Sequence, residues 1–239
     1  MQAFVLAGGL GTRLRPYTHA IPKPLMPLGD RSILDILLHG LSASGVRKVT
    51  LSLGYLSTII AAFVRDGSSW SLEIEIVEEQ KPLGTAAPLL LAPSLEDDFL
   101  VINGDTLTDL DFSLLLGLHR EKAALATIFA PTVEDQVDYG VLVTDAETGQ
   151  LRDYIEKPKR RLEVSSGVYA FSRRALAYIP KGERFDMPDL IRAALADRAD
   201  IQIYRSDAYW RDIGRPDHYE AAIEDYLGDP DRFLKRKRR

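Results

Sequence analysis

The chain has 239 residues, is 46% hydrophobic and 27% charged, and carries a formal charge of −5, proportions that suit a single globular domain and exclude collagen-like and low-complexity chains. It contains no cysteine, which excludes disulfides, thiolate nucleophiles and cysteine-held metals. The basic residues concentrate in KRKRR at 235–239 over an otherwise acidic body, which excludes the distributed basic face of a nucleic-acid binder, and no apolar run approaches the ~20 residues of a membrane helix.

In chain order, Phe4-Val5-Leu6 reads as a short buried parallel strand. Met1-Gln2-Ala3 ahead of it lacks the charged leader of a signal peptide, so a cytoplasmic protein is expected. The strand runs into Gly8-Gly9-Leu10-Gly11, where glycines let backbone N–H groups approach an anion. Arg13 adds a planar set of donors suited to phosphate oxygens, and Pro22-Lys23-Pro24 stiffens a lysine on both sides. A Walker A loop would need Gly-Lys-Ser/Thr where Gly11-Thr12-Arg13 stands, and a dinucleotide fingerprint would need a glycine at Leu14. A polyphosphate site of another kind is expected.

Ser32 is the expected N-cap of a helix with Ile33, Leu34, Leu37, Leu38 and Leu41 on one face. Residues 49–53 read as a strand, 57–65 as a helix carrying Ile59, Ile60 and Phe63, 73–77 as an alternating strand, and 78–92 as a loop running into a helix. Residues 99–102 form another strand that ends in Asn103-Gly104-Asp105. This alternation predicts a parallel sheet with crossover helices. Beyond it, a helix is expected at 112–121, strands at 124–130, 140–144, 151–156 and 165–171, helices around 173–179 and 187–197, a strand at 201–205 and a proline-started helix from 216. Phe185 to Leu190 reads as a helix start with Asp186 as its cap. Residues 1–230 are expected to form one catalytic domain with no appended module, and 231–239 a basic, disordered tail. The four histidines lack metal-ligand spacing and read as packing or surface residues.

LAGGLGTRL at 6–14 followed by PKPLMPLGDRSIL at 22–34 resembles the signature of the sugar-1-phosphate nucleotidyltransferases. Gly84-Thr85-Ala86, Asn103-Gly104-Asp105, Tyr139-Gly140-Val141, Glu156-Lys157-Pro158 and the segment from Tyr209 to Pro216 continue the resemblance in the family's order. It implies a single α/β domain with a Rossmann-like, GT-A-like sheet, mixed but mostly parallel and flanked by helices. It implies transfer of a nucleotidyl group from an NTP to a sugar 1-phosphate or cyclitol phosphate, with Mg²⁺. Arg13, Lys23 and Asp105 would be catalytic, and Asp105 and Asp212 would hold the metal. Leu6, Ala7, Gly8, Gly9, Gly11, Thr12, Gln80, Gly84 and Thr85 would bind the nucleotide, and Tyr139, Gly140, Glu156, Lys157, Ser166 and Gly167 the sugar phosphate. Ser165 departs from the family's usual asparagine. Length and late motif lean towards guanylyltransferases of mannose, heptose or hexosamine 1-phosphates, with thymidylyl-, uridylyl- and cytidylyltransferases open. A catalytically silent sugar-nucleotide-binding regulator and a glycosyltransferase are the rivals, no nucleic-acid or membrane partner is expected, and homo-oligomerisation is left open.

Overall fold

A computed structural model of the chain describes residues 1–234. β1 (Gln2–Leu6) leads through three single-turn 3-10 helices to a small hairpin, β2 (Pro27–Leu28) and β3 (Arg31–Ser32). α1 (Ile33–Ala43) then starts where expected, because Ser32 Oγ accepts the Asp35 N–H at 3.2 Å and satisfies an otherwise orphaned donor. Its Leu34, Leu37, Leu38 and Leu41 are buried against the sheet, worth roughly 1.5–3 kcal/mol apiece. β4 (Lys48–Leu53), α2 (Ser57–Val64), β5 (Glu73–Glu78), β6 (Asp98–Asn103), β7 (Thr106–Thr108) and α3 (Phe112–Lys122) follow. In α2 only Ile60 and Val64 are buried, so Ile59 and Phe63 turn outward rather than into the core.

β8 (Ala126–Phe129) precedes an arm of four strands, β9 (Thr132–Gln136), β10 (Val141–Thr144), β11 (Leu151–Ile155) and β12 (Lys159–Glu163). β9 pairs with β12 and β10 with β11, both antiparallel, and none of the four joins the central sheet. β9 and β12 escape the sequence reading because Thr132–Gln136 and Lys159–Glu163 are mostly polar and exposed on both faces, so no alternation marks them. β13 (Val168–Ser172), α4 (Met187–Ala196), β14 (Ile201–Tyr204), β15 (Trp210–Asp212), α5 (Pro216–Gly228) and α6 (Pro230–Leu234) complete the described chain.

Seven strands form the central sheet in the order β14-β8-β13-β6-β1-β4-β5. All of its pairs are parallel except those of β13, which runs antiparallel to both β6 and β8. Side chains alternate across β1, so Ala3 and Val5 pack with α1, α2 and α3 while Phe4 faces α4 and the turn after Gly84. The sheet is thus covered on both faces, as a mainly parallel sheet must be. A third core joins Leu14, Met26, Leu107, Ile213, Tyr226 and Phe233, tying the glycine loop to α5 and α6.

Three expectations need correcting. The segment after Gly84 forms only a 3-10 helix at Ala87–Leu91, since Pro88 lacks an N–H to donate, and 173–178 is likewise 3-10 rather than α. Residues 231–234 are not tail: α6 buries Phe233 and Leu234 in the third core. The remaining tail residues, 235–239, lie outside the described residues. Among the described residues no helix is long and apolar enough to cross a membrane.

Candidate active site

Parallel strands leave their ligand crevice at the carboxyl edge. Here the residues that follow β1, β4, β5 and β6 enclose a cleft of about 730 Å³. Every residue expected to bind nucleotide lines it: Leu6, Ala7, Gly8, Gly9, Gly11, Thr12, Gln80, Gly84 and Thr85. So do the three residues expected to be catalytic, Arg13, Lys23 and Asp105. The glycine loop is held from beneath by Thr18, whose buried hydroxyl donates to the Gly11 carbonyl at 2.8 Å.

Lys23 begins a one-turn 3-10 helix between its two prolines and is only 8% exposed. A buried ammonium needs a counter-charge, and Asp105 supplies it through an ion pair. Asp105 sits in the turn between β6 and β7, and its carbonyl accepts the Ile213 N–H at 3.2 Å. Strand β15 pairs antiparallel with β7, setting Asp212 opposite Thr106, the residue after Asp105. Two carboxylates separated by over a hundred residues of chain therefore meet at one edge.

Electrostatics report the same convergence. Burial raises the Asp212 carboxyl above the ordinary range and the Asp105 charge raises it further, opposed by Lys23 and Arg13. Arg13 and Asp212 close on one face of Gly214, where a β-carbon would meet Asp212 Oδ2 at 2.6 Å and Arg13 Nη2 at 3.1 Å. A side chain there would have to push these two side-chain ends aside. Among the described residues no three His, Cys, Asp or Glu side chains cluster as a metal cage. Two carboxylates without a third suit a hard cation that takes its remaining ligands from phosphate and water, as Mg²⁺ does.

The residues expected to hold the sugar phosphate lie apart from this cleft. Tyr139, Gly140, Glu156 and Lys157 occupy the connections between the two ribbons of the arm, and Tyr139, Glu156 and Lys157 are exposed. Glu156 accepts from the Tyr154 hydroxyl at 3.1 Å, and Lys157 has a left-handed backbone, φ 44°. Ser166 is buried, donating its hydroxyl to the Phe129 carbonyl at 2.6 Å and accepting the Val168 N–H at 3.1 Å. Gly167 packs directly against the side chain of Asn103, which lines the cleft, so it reaches the edge of the site. Ser165 shares a 2.9 Å hydrogen bond with the Tyr169 hydroxyl.

Sequence reasoning missed Glu79, Tyr55 and Arg184, which also line the cleft. Glu79 accepts from Ser52 Oγ and from the Leu83 N–H, each at 3.0 Å, and so braces the approach to Gly84. Asp186 does stand at the N-cap position of α4, yet its carboxylate caps nothing in that helix. Oδ1 instead accepts the Thr85 N–H at 3.1 Å, and Thr85 Oγ1 accepts the Met187 N–H at 2.7 Å in its place. The side chain from the cleft thus does the capping.

A doubly covered, mainly parallel sheet with an arginine, a lysine and two carboxylates around a glycine loop defines an α/β protein with a charged, anion-suited cleft at its strand edge. Residues 2–228 match the profile of the nucleotidyl transferase family, and the chain belongs to it. It is 35% identical to a UTP–glucose-1-phosphate uridylyltransferase of Synechocystis, over 92% of this chain and 62% of that one. It is also 35% identical to a mannose-1-phosphate guanylyltransferase of Mycobacterium tuberculosis, over 95% of this chain and 65% of that one. The chain thus spans somewhat under two thirds of the length of these curated relatives. The crystal structure of HddC from Yersinia pseudotuberculosis superposes with a TM-score of 0.74 at 28% identity, covering 94% of this chain and 99% of HddC. A second HddC structure, complexed with GMP-PN, superposes with a TM-score of 0.73 at 26% identity over 94% of this chain and 99% of that one.

Proposed function

We propose that this protein is a sugar-1-phosphate nucleotidyltransferase, joining an NTP and a sugar 1-phosphate to give an NDP-sugar and pyrophosphate. The observation that carries this reading is the gathering of Arg13, Lys23 and Asp105 around one cleft with the Gly8–Gly11 loop and the Gly84–Thr85 turn. GTP is the favoured nucleotide, in keeping with the guanylyltransferase relatives and the HddC complex with GMP-PN. A cytoplasmic location follows from where nucleoside triphosphates and sugar phosphates are made and used.

The reaction is an in-line displacement in which a phosphate oxygen of the sugar phosphate attacks the α-phosphorus and pyrophosphate leaves. With no covalent intermediate, catalysis consists of positioning and charge neutralisation. The amides of Gly8 to Gly11 and the Arg13 guanidinium grip the departing β- and γ-phosphates. Lys23, held at one point by Asp105 and its two prolines, faces the charge that develops at the α-phosphoryl oxygens. Lys157 orients the attacking phosphate, and Tyr139, Gly140, Glu156 and Gly167 contact the sugar, while Ser166, buried and bonded to Phe129 and Val168, holds the backbone that carries Gly167. Asp105 and Asp212 would hold a divalent cation, Mg²⁺ being the best match, which supplies charge neutralisation at the phosphates when bound.

Pyrophosphate release measured across a matrix of NTPs and sugar 1-phosphates tests this reading. Release with one nucleotide and one sugar phosphate, strongest with GTP, is expected. Absence of release across the whole matrix would overturn it.

A further inference from the structure

The loop that carries Gly84 and Thr85 is stitched to a segment a hundred residues later. Ala86 and Ala87 N–H groups donate to the Phe185 carbonyl at 2.9 and 3.1 Å, and the Phe185 N–H donates to the Leu83 carbonyl at 2.9 Å. Gly84 has φ +89°, and a β-carbon there would meet the Phe185 carbonyl at 2.6 Å and Asp186 Oδ1 at 2.7 Å. Asp186 divides its two oxygens. Oδ1 takes the Thr85 N–H at 3.1 Å, while Oδ2 takes Arg184 Nη2 at 3.2 Å. Arg184 lines the same cleft as Lys81, Pro82 and Gly84.

We propose that Asp186 is a positioning residue for the nucleotide, fixing the Gly84–Thr85 loop with one oxygen and aiming Arg184 with the other, so that Arg184 selects guanine. This deepens the nucleotidyltransferase reading and rests on it for the orientation of the NTP. With the phosphates on the Gly8–Gly11 loop and Arg13, the base extends towards Gly84. A guanidinium at that end offers two parallel N–H donors. Guanine presents two adjacent acceptors, O6 and N7, and satisfies both. Adenine places an amino donor beside N7, so one N–H of Arg184 would face another donor, and a pyrimidine has no N7 at all. Tethering by Asp186 removes part of the freedom that an arginine on the cleft rim would otherwise lose on binding. The Oδ1 bond does a different job, since it holds the loop for any base.

Equilibrium titration of the full chain with GTP and with ATP, without sugar phosphate, separates these two jobs and does not depend on turnover. Wild-type protein should bind GTP about tenfold or more tightly than ATP. Arg184→Met should bring the two affinities close together. Asp186→Ala should weaken both nucleotides by about tenfold and also shrink the preference, with the kinetic loss in KM for NTP exceeding that in kcat. Asp186→Asn keeps an oxygen for the Thr85 N–H but loses the charge that holds Arg184. It should therefore recover the common affinity and retain the reduced preference. Equal binding of GTP and ATP by wild type, an unchanged preference in Arg184→Met, or an Asp186→Asn protein no better than Asp186→Ala would overturn the proposal. Because Arg184 sits exposed on the rim, its substitution reads out the selection even where Asp186→Ala melts early. A wild type that binds GTP selectively yet releases no pyrophosphate would remove the catalytic reading and leave this one standing.

Discussion

Lys23 and Asp105, 82 residues apart in sequence, form an ion pair in the floor of the cleft. A flexible ammonium is thereby held at one point, between two prolines, before any phosphate arrives. Its removal takes away a preorganised charge, so Lys23→Ala should lower kcat by roughly 10²–10³-fold, with a smaller change in NTP affinity. Steady-state pyrophosphate release measures both quantities, and a normal kcat with only a raised KM would make Lys23 a ground-state contact.

The meeting of Asp105 and Asp212 gives a second prediction. If both serve one cation, Asp105→Asn and Asp212→Asn should each lose most activity and need more Mg²⁺. The double variant should then be scarcely worse than either single one. Mg²⁺ titrations of all four proteins check it. Losses that multiply, or an Asp212→Asn protein with the wild-type Mg²⁺ requirement, would separate the two carboxylates.

Away from the site, Asp35 on α1 accepts Trp70 Nε1 at 2.8 Å and Arg31 Nη1 at 2.5 Å, with His39 beside it. Burial alone would raise this carboxyl, but hydrogen bonds from His39, Arg31 and Trp70 outweigh it and hold it down to about 2. An unfolded aspartate titrates near 4, so the folded state prefers the ionised form. Its contribution, about 2 kcal/mol, is fully present above about pH 4 and disappears as pH falls from there through 2. Thermal melts from pH 7 to pH 2 should show Asp35→Asn less stable at neutral pH, with the gap to wild type closing in that acid window. A gap that stayed constant with pH would remove the carboxylate's charge as the cause.

Phe233 on α6 is 1% exposed and meets Tyr209 edge-on with ring centroids 5.1 Å apart. Phe233→Ala should therefore cost about 3–5 kcal/mol, and Phe233→Leu clearly less. Denaturant titration measures both. Equal, negligible losses would mean that α6 contributes no core.

Much of the nucleotide half was legible because its residues are neighbours in sequence. Gly8, Gly11, Arg13 and Lys23 lie within one strand–loop stretch, and their spacing alone describes an anion site. Asp105 and Asp212 were legible through the motifs that contain them, Asp105 in the turn after β6 and Asp212 at the end of β15. Glu79 and Arg184 were not, because their parts come from contacts made only on folding. Thr85 and Asp186 show the difference most clearly. Each was noticed in sequence, yet the exchange of caps between them spans 101 residues and leaves no local pattern. β9 and β12 were hidden for the opposite reason: a ribbon exposed on both faces buries too little to impose a period. α6 was hidden by its charged neighbours, which made Phe233 and Leu234 look like the start of a tail.

The arm at 132–163 gives the molecule a modular character. Its strands pair only with one another, while the nucleotide cleft is built on the seven-stranded sheet. Tyr139, Gly140, Glu156 and Lys157 all belong to the arm. Substitutions on the exposed faces of the arm therefore touch none of the ladder hydrogen bonds of the seven-stranded sheet.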